Sequence, residues 1–403
     1  MVHDIVLENG TVIDPAEDIH GRYDVAIHDG RIAAVEPELG TTSATKVIDV
    51  EGLILTPGLI DIHTHVAEGI MPIAVAPDEA GVLSGVTAVS DAGSVGYANY
   101  DAFKRLVTAN ERTDIFCFLH LCPTGQTVSP EIGWKSLDPE RVIGLVERES
   151  DVIRGIKIRA NGPAVVNPDL KILKLAKAVS ARTRLPLMIH AGLNSEETVP
   201  SDVHTSFNRD MLSMLDSGDI LTHAFTGRRG GLVGGPDSLL PELKAASDRG
   251  VVIDAAPAQS HFSFELTRTA FKEGLYPTTL STDITRTNYL GPALFSLPVV
   301  MSKFLALGLT LDDVVRKTTI VPARILKEDH RRGRLRVGFP ADITVFELRE
   351  GNFLFSDGVA GETLAGTQLL EPKITIKDGK RIPASSRFRN HVPGEPVTLT
   401  RGA

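Results

Sequence analysis

Two histidines with a single residue between them, His63 and His65, close an apolar run that begins at Leu59. Residues two apart in a β-strand point to the same face, so both imidazoles can reach one ion. A lone histidine at a strand end is more often a hydrogen-bonded core residue than a ligand. The spacing of this pair therefore indicates a candidate metal site, without identifying a reaction.

Three later segments also end in side chains that bind metals. Two short apolar runs close on His190 and His223, and a third segment closes on Asp283. Each residue has a simpler explanation when it is taken alone, since an aspartate after a strand usually caps the following helix. Their joint occurrence favours a metal site, because histidine and carboxylate are common ligands of divalent transition metals.

A lysine occupies another apolar segment of this kind. Lys157 stands between Ile156 and Ile158. On a half-exposed strand such a lysine alternates outwards into solvent. Inside a metal site it would have to lose its positive charge, because an ammonium group is repelled by divalent cations.

Eight short β-branched segments alternate with longer segments of helical spacing through the middle of the chain. This alternation predicts a parallel sheet, and eight repeats predict an α/β fold of the (β/α)₈ TIM barrel type. A doubly wound open sheet is the alternative, but its Gly-rich nucleotide fingerprint is missing after the early strands. In a barrel, reactive side chains lie at the C-terminal ends of strands, where the candidate ligands fall. The candidate strands are 59–63, 86–91, 115–121, 155–158, 187–190, 220–223, 251–254 and 279–281.

Both ends of the chain consist of short strands separated by turn dipeptides. Asn9-Gly10 is a hairpin signal near the N-terminus, and Asp378-Gly379 is a similar signal near the C-terminus. Each end is too short to form a core alone, so we expect the two to pair in one small β-sandwich. The predicted division is a discontinuous small domain of residues 1–55 and 333–403 around a catalytic barrel of residues 56–332.

The bulk composition limits the classes of partner. The net charge of −9 argues against nucleic acid or an anionic membrane surface as the main partner, and a small molecule is expected instead. We find no signal peptide and no apolar run of membrane-spanning length, so a cytoplasmic protein is expected. With only two cysteines, no disulfide framework holds the fold. The oligomeric state stays open, and a homo-oligomer is possible because barrels of this type often associate.

The run from Thr56 to His65 resembles the signature of the amidohydrolase superfamily, and residues 338–343 resemble its return into the small β-domain. The resemblance extends from about residue 4 to about residue 382. It implies two divalent ions, with zinc as the expected metal. By this resemblance the ligands are His63, His65 and Asp283 for one ion, His190 and His223 for the other, and Lys157 between them as a carbamate formed with CO₂.

The same resemblance implies a mechanism. A water that bridges the ions would be acidified to hydroxide near neutral pH. Asp283 would accept its proton and pass that proton to the leaving group.

Residues near the ligands separate the branches of this superfamily. Dihydroorotases carry an arginine two residues after the second histidine and a histidine four residues after the last aspartate; here these positions are Ala67 and Thr287. The chain therefore resembles a dihydroorotase-like branch that lacks these substrate residues. That resemblance implies hydrolysis of an amide or ester of a small acylated carboxylate, such as the deacetylation of an N-acyl amino acid or O-acyl hydroxy acid.

Two alternative functions are also consistent with parts of the sequence. The first is a cyclic amidase that opens a hydantoin- or dihydroorotate-like ring. The second is a metal-free scaffold homologue, which predicts gaps among the six ligand positions. None of those six positions is changed.

Several loop residues are candidate contacts of a carboxylate-bearing substrate. His261 is expected to bind substrate or polarise its carbonyl, although it could instead cap the next helix. Arg228 and Arg229 lie in a glycine-rich loop and could engage a carboxylate or simply be solvated. His120 and Arg286 are predicted to contribute to the pocket, with filling of the barrel mouth as the alternative for His120.

Overall fold

The computed structural model describes residues 2–39, 44–109, 111–127, 136–193, 199–235, 238–258, 260–290, 295–357 and 362–385. Part of the predicted C-terminal segment, residues 386–403, lies outside this range. The strands are β1 (His3–Asp14), β2 (Ile19–His28), β3 (Arg31–Glu36), β4 (Ala44–Asp49), β5 (Ile54–Pro57), β6 (Leu59–Thr64), β7 (Val86–Ala92), β8 (Asp114–His120), β9 (Ile153–Arg159), β10 (Leu187–His190), β11 (Ile220–Thr222), β12 (Val252–Asp254), β13 (Ile343–Ser356), β14 (Thr363–Lys377) and β15 (Lys380–Pro383).

The helices follow the strands of the barrel, as the alternating pattern predicts. Apolar residues at helical spacing bury one face of each long helix; the helix at 139–148, for example, buries Val142, Ile143 and Val146. Asp138 caps that helix by accepting a hydrogen bond from the Arg141 backbone. The helices are α1 (Pro77–Ala80), α2 (Tyr100–Phe103), α3 (Pro139–Arg148), α4 (Lys171–Thr183), α5 (Ser201–Met214), α6 (Leu240–Asp248), α7 (Phe264–Lys272), α8 (Arg286–Tyr289), α9 (Leu297–Ala306), α10 (Leu311–Thr318) and α11 (Ile320–Ile325).

Strands β6 to β12 form one parallel sheet in sequence order, which confirms the predicted barrel architecture. The predicted eighth strand of the barrel, residues 279–281, is not a regular strand. Residues 279–284 form isolated parallel bridges, from Thr279 to Asp254 on one side and from Ile284 to Thr64 on the other. The backbone at Asp283 is left-handed, with φ of 54°, and this interrupts a regular ladder. The segment still joins the first and seventh strands of the barrel.

The terminal strands form one separate sheet, in the order β15-β14-β13-β5-β1-β2-β3, with β4 paired to β1. The sheet curls so that its two outer turns touch. A β-carbon added to Gly379 would lie 2.7 Å from the Cα of Gly30, so glycine is required at this approach. The enclosed core takes residues from both ends of the chain, among them Leu7, Val25 and Ile376.

The outer half of the β13–β14 hairpin reaches past this core and lies on the barrel. Lys303 of α9 donates to the Ser356 carbonyl oxygen over 2.7 Å, and the Leu370 backbone donates to Ser302 Oγ over 2.9 Å. Phe353 and Phe355 share a core with the barrel helices. This packing explains why α9 is mostly apolar and is buried from Leu297 to Phe304. No described helix is both long enough and apolar enough to cross a membrane.

Candidate metal centre

The six predicted ligands meet at the C-terminal end of the barrel. Each leaves the end of a parallel strand, or the segment that replaces the eighth strand, so the register of the barrel brings them together. All six side chains are buried, from His223 at 0% exposure to Asp283 at 8%. The ligand positions are His63, His65, Lys157, His190, His223 and Asp283.

One group consists of His63, His65 and Asp283. His65 Nε2 lies 3.0 Å from Asp283 Oδ1, and His63 Nε2 lies 3.4 Å from the same oxygen. One ligand atom from each residue lies within 4.8 Å of the others, which is close enough for a single metal ion to bind all three.

A second group consists of His190, His223 and His261. Their rings pack at centroid distances of 4.3 to 4.7 Å, and one potential ligand atom from each lies within 4.8 Å of the others. Nε2 of His190, Nε2 of His223 and Nδ1 of His261 are buried and have no hydrogen-bond partner among the described residues. Buried nitrogen atoms are seldom left without a partner, so three of them in rings packed this closely fit a bound cation.

Hydrogen bonds at the outer nitrogen atoms orient the candidate ligand histidines. His223 Nδ1 donates to the Ala256 carbonyl oxygen over 2.7 Å, and His65 Nδ1 lies 2.8 Å from Ser94 Oγ. Because a carbonyl oxygen can only accept, the proton of His223 is on Nδ1 and the lone pair of Nε2 faces inwards. This is the tautomer that a metal ion requires.

Asp254, at the end of β12, is hydrogen-bonded both to the group that orients His63 and to the segment that replaces the eighth strand. The Thr222 hydroxyl donates to Asp254 over 2.7 Å, and it therefore accepts from His63 Nδ1 over 2.8 Å. The other oxygen of Asp254 accepts from the hydroxyls of Thr279 and Ser281, over 2.9 and 2.7 Å. This one buried carboxylate thereby sets the His63 tautomer and holds the backbone that carries Asp283.

Lys157 lies under the two groups, with Nζ 3.5 Å from His63 Nε2. Its side chain is 1% exposed and passes directly beside Gly93. A β-carbon at Gly93 would lie 2.7 Å from Lys157 Cγ and 3.1 Å from His120 Cδ2, so the backbone approach requires glycine. This close packing directs the lysine stem towards the ligands.

The backbone is strained at two ligands. His223 and Asp283 both have positive φ, at 63° and 54°. Such conformations cost on the order of 1–3 kcal/mol each for residues other than glycine. At Asp283 the conformation is held by a 2.7 Å bond from its backbone to the His63 carbonyl oxygen and by a bond from Asn288 Nδ2.

The charge states favour metal binding. Burial lowers the pKa of His63, and lowers those of His190 and His223 further, so these rings are neutral near pH 7. Burial alone would raise the pKa of Asp283, but the neighbouring His63, His65 and His223 hold it well below its usual range. Neutral imidazole and ionised carboxylate are the forms that bind metals.

A cavity of about 430 Å³ opens onto both groups. His261, His190 and Asp283 form part of its wall, so His261 is placed where the sequence predicts a substrate contact. A cavity of this volume takes a small molecule and belongs to the lower range of ligand pockets. Its remaining wall residues are His63, His65, Met71, Pro72, Ile73, Gln126, Thr127, Lys157, Arg159, Ala258, Ser260, Thr285, Thr287 and Asn288.

The other predicted substrate contacts lie outside this wall. Arg228 and Arg229 line a second cavity of about 320 Å³ between α5 and the loop after β11. Arg286 is exposed, although its neighbours Thr285 and Thr287 do face the main cavity. His120 is buried beside Lys157, and its Nδ1 accepts from the Cys122 backbone over 2.9 Å.

The sequence matches a known family across most of its length. A profile of the amidohydrolase family matches residues 54–382. The chain belongs to this family. It is therefore a hydrolase, and its fold is the amidohydrolase barrel with a second sheet built from both chain termini.

Individual relatives of this amidohydrolase carry different names. A deacetylase from Agrobacterium fabrum is 30% identical over 361 residues, which cover 89% of this chain and 86% of the relative. A crystal structure of a dihydroorotase has a TM-score of 0.82 at 28% identity and covers 94% of this chain and 99% of its own. A crystal structure of an adenine deaminase has a TM-score of 0.84 at 27% identity, covering 94% and 100%. Since three names accompany one fold, the fold does not select the substrate.

Two residues at this amidohydrolase site, Asp254 and Arg159, are absent from the residues predicted from the sequence. Asp254 appeared only as the end of a candidate strand, because its hydroxyl partners are distant in sequence. Arg159 carried a usable signal, since it lies two residues after Lys157 and must share its face of β9.

Proposed function

We propose that this amidohydrolase cleaves an amide or ester bond of a small acylated carboxylate, such as an N-acyl amino acid or an O-acyl hydroxy acid. The observation that carries the proposal is the cavity of about 430 Å³ in which an arginine, Arg159, stands beside two candidate metal-binding groups. A guanidinium group in the cavity wall favours an anionic substrate over a neutral one. The name of the 30% identical relative, a deacetylase, supports removal of an acyl group.

The proposed metal ligands are the first group of side chains, two histidines of the second group, and Lys157; His261 is assigned to the substrate instead. His63, His65 and Asp283 would hold one ion, and His190 and His223 would hold a second, with Lys157 between them as a carbamate. Zinc is the expected metal, because imidazole and carboxylate ligands suit it. Ions bound there supply Lewis acid polarisation of a carbonyl and a water that ionises near neutral pH.

Asp283 is proposed as the general base. Its carboxylate faces the cavity and is ionised, because the surrounding histidines hold its pKa low. It can accept a proton from the attacking water and deliver that proton to the departing nitrogen or oxygen. The hydrogen bonds that hold its left-handed backbone would keep this carboxylate at the cavity wall during the reaction.

His261 is proposed to contact the acyl carbonyl. Burial lowers its pKa to about 3, so the ring is neutral at pH 7 and offers one N–H. Its stacking on His223, with centroids 4.3 Å apart, fixes the ring at the cavity wall. An N–H in that position can stabilise negative charge that develops on the carbonyl oxygen.

A cyclic amidase is the second candidate, because a crystal structure of a dihydroorotase resembles this chain at 28% identity. Purified zinc-loaded protein separates the two reactions. We expect acetate release from N-acetyl amino acids or O-acetyl hydroxy acids, measured by a coupled acetate assay. Ring opening of dihydroorotate or a hydantoin, followed by ultraviolet absorbance, without any acetate release would contradict the proposal.

A further inference from the structure

We propose, on the basis of the acylated-carboxylate hydrolysis set out above, that Arg159 binds the substrate carboxylate and so selects acids acylated close to that carboxylate. Arg159 is the last residue of β9 and forms part of the main cavity wall. Among the described residues of that wall, Arg159 is the one charged side chain besides Lys157, Asp283 and the histidines. A guanidinium group matches a carboxylate with two parallel hydrogen bonds.

The barrel register places Arg159 close to the reacting atoms. It pairs with His190 on the neighbouring strand, and Lys157 precedes it by two residues on the same face. Two such residues have Cα atoms roughly 6.6 Å apart along a strand. A carboxylate held by Arg159 therefore lies only a few bonds from a carbonyl placed at the metal-binding groups. This spacing matches an α-acylamino or α-acyloxy acid better than a long chain acylated at its far end.

The electrostatic surroundings support this placement. Burial is the main cause that lowers the pKa of His261 to about 3, and the positive charges of Arg228 and then Arg159 act in the same direction. Burial also lowers the pKa of His190, again with a contribution from Arg159. Both histidines therefore lie within the field of Arg159, and an anion bound there would be attracted into the cavity.

Two other arginines at this end of the barrel, Arg228 and Arg229, line a different cavity. Arg228 Nε donates to the Ser260 carbonyl oxygen over 2.8 Å, and Arg229 donates to the Val199 carbonyl oxygen over 2.6 Å. Both belong to the wall of the second cavity. Arg228 thereby acts on the loop that carries His261, which is a positioning role.

Another part of the main wall is apolar. Met71, Pro72 and Ile73 follow the first metal-binding motif, and the Arg286 backbone donates to the Ile73 carbonyl oxygen over 2.7 Å. This contact ties the apolar segment to the segment that carries Asp283. We therefore expect an acid with an apolar side chain, whose carboxylate and side chain occupy different parts of the wall.

The test compares an acid with its neutral amide. Zinc-loaded wild type and Arg159→Met are assayed with racemic N-acetyl-leucine and N-acetyl-leucinamide, and with the corresponding O-acetyl hydroxy acid pair. We expect Arg159→Met to lose about 100-fold in kcat/KM on the acid, mainly through KM, because the half-buried charge partner of the substrate carboxylate is removed. The loss on the amide should stay within about 3-fold, and Arg159→Lys should recover part of the acid activity.

Two further variants control for general damage. Arg209→Met removes an exposed arginine that pairs with Glu242 on α5 and α6, and should leave both activities unchanged. Arg228→Met should lower activity on acid and amide by similar factors, because it acts through the loop. Equal losses on acid and amide in Arg159→Met, or no loss on either, would overturn the assignment.

A binding measurement separates this inference from the reaction itself. Calorimetric titration of zinc-loaded protein with racemic 2-hydroxy-4-methylpentanoate and with its amide needs no turnover. If the wild type releases no acetate from any acid, the proposed function fails. Weaker binding of the acid alone in Arg159→Met would then still support the carboxylate role. Equal binding in both proteins, or no binding to the wild type, would overturn it.

Discussion

Buried polar groups at the two ends of the barrel find their partners in opposite ways. At the N-terminal ends of the strands, Arg332 pairs with Asp114 at 2.7 Å, Glu328 at 3.1 Å and Asp342 at 3.2 Å. Lys377 from the terminal sheet also pairs with Asp114, at 3.0 Å. At the C-terminal ends, the rings of His190, His223 and His261 pack together, and one buried nitrogen of each has no hydrogen-bond partner in the described part of the chain.

The difference shows which end is built for stability and which for chemistry. The charges around Arg332 neutralise one another and join the barrel to the second sheet. The candidate metal-binding groups instead combine strained backbone at His223 and Asp283 with buried nitrogen atoms that have no hydrogen-bond partner among the described residues, and both features cost stability without a bound cation. Substitutions at the C-terminal ends of the strands should therefore reduce activity or metal binding, whereas substitutions around Arg332 should reduce the free energy of unfolding.

The largest effect is expected at the proposed base. Asp283→Asn keeps the shape of the side chain but cannot accept a proton, so kcat should fall by about 10³-fold or more. The fold and much of the bound metal should remain, as checked by circular dichroism and mass spectrometry of the metal. Near wild-type turnover in a metal-loaded variant would remove Asp283 from this role.

The next largest effect is expected among the ion pairs around Arg332, at the N-terminal ends of the barrel strands. Arg332→Met leaves Asp342 and Glu328 buried with less compensation, so the free energy of unfolding should fall by about 3–5 kcal/mol. Urea denaturation measures this loss, while zinc content and KM should not change. The control is Arg331→Met, which removes a half-exposed partner of Glu328 and should cost at most about 1 kcal/mol. A loss of zinc in Arg332→Met would break the separation between the two ends.

The smallest effect tests the connection behind the first histidine. Asp254→Asn weakens the link through Thr222 to His63 and should reduce zinc affinity by about 10- to 100-fold. Competition with a chromogenic chelator measures that affinity, and added zinc should restore much of the activity. Unchanged zinc affinity would show that Asp254 only supports the strand end.

The sequence predicted the active end better than the connections around it. The histidines at strand ends can be recognised in the sequence, because strand periodicity and the position of reactive side chains in a barrel are both local rules. The family match confirmed the barrel that these rules imply. The roles of the individual ligands stay predictions. Asp254 was missed because its partners Thr222 and Ser281 come from other strands. The hairpin that covers α9 was also missed, since long strands give no sign of which surface they cover.

Metal content tests the central claim most directly. Wild-type protein prepared with zinc and bicarbonate should carry about two zinc ions per chain by mass spectrometry of the metal. Lys157→Ala should lose most of this metal, because the bridging carbamate is lost, and a short carboxylic acid should restore it. A wild type without bound transition metal, or a Lys157→Ala variant that keeps full occupancy without added acid, would contradict the account.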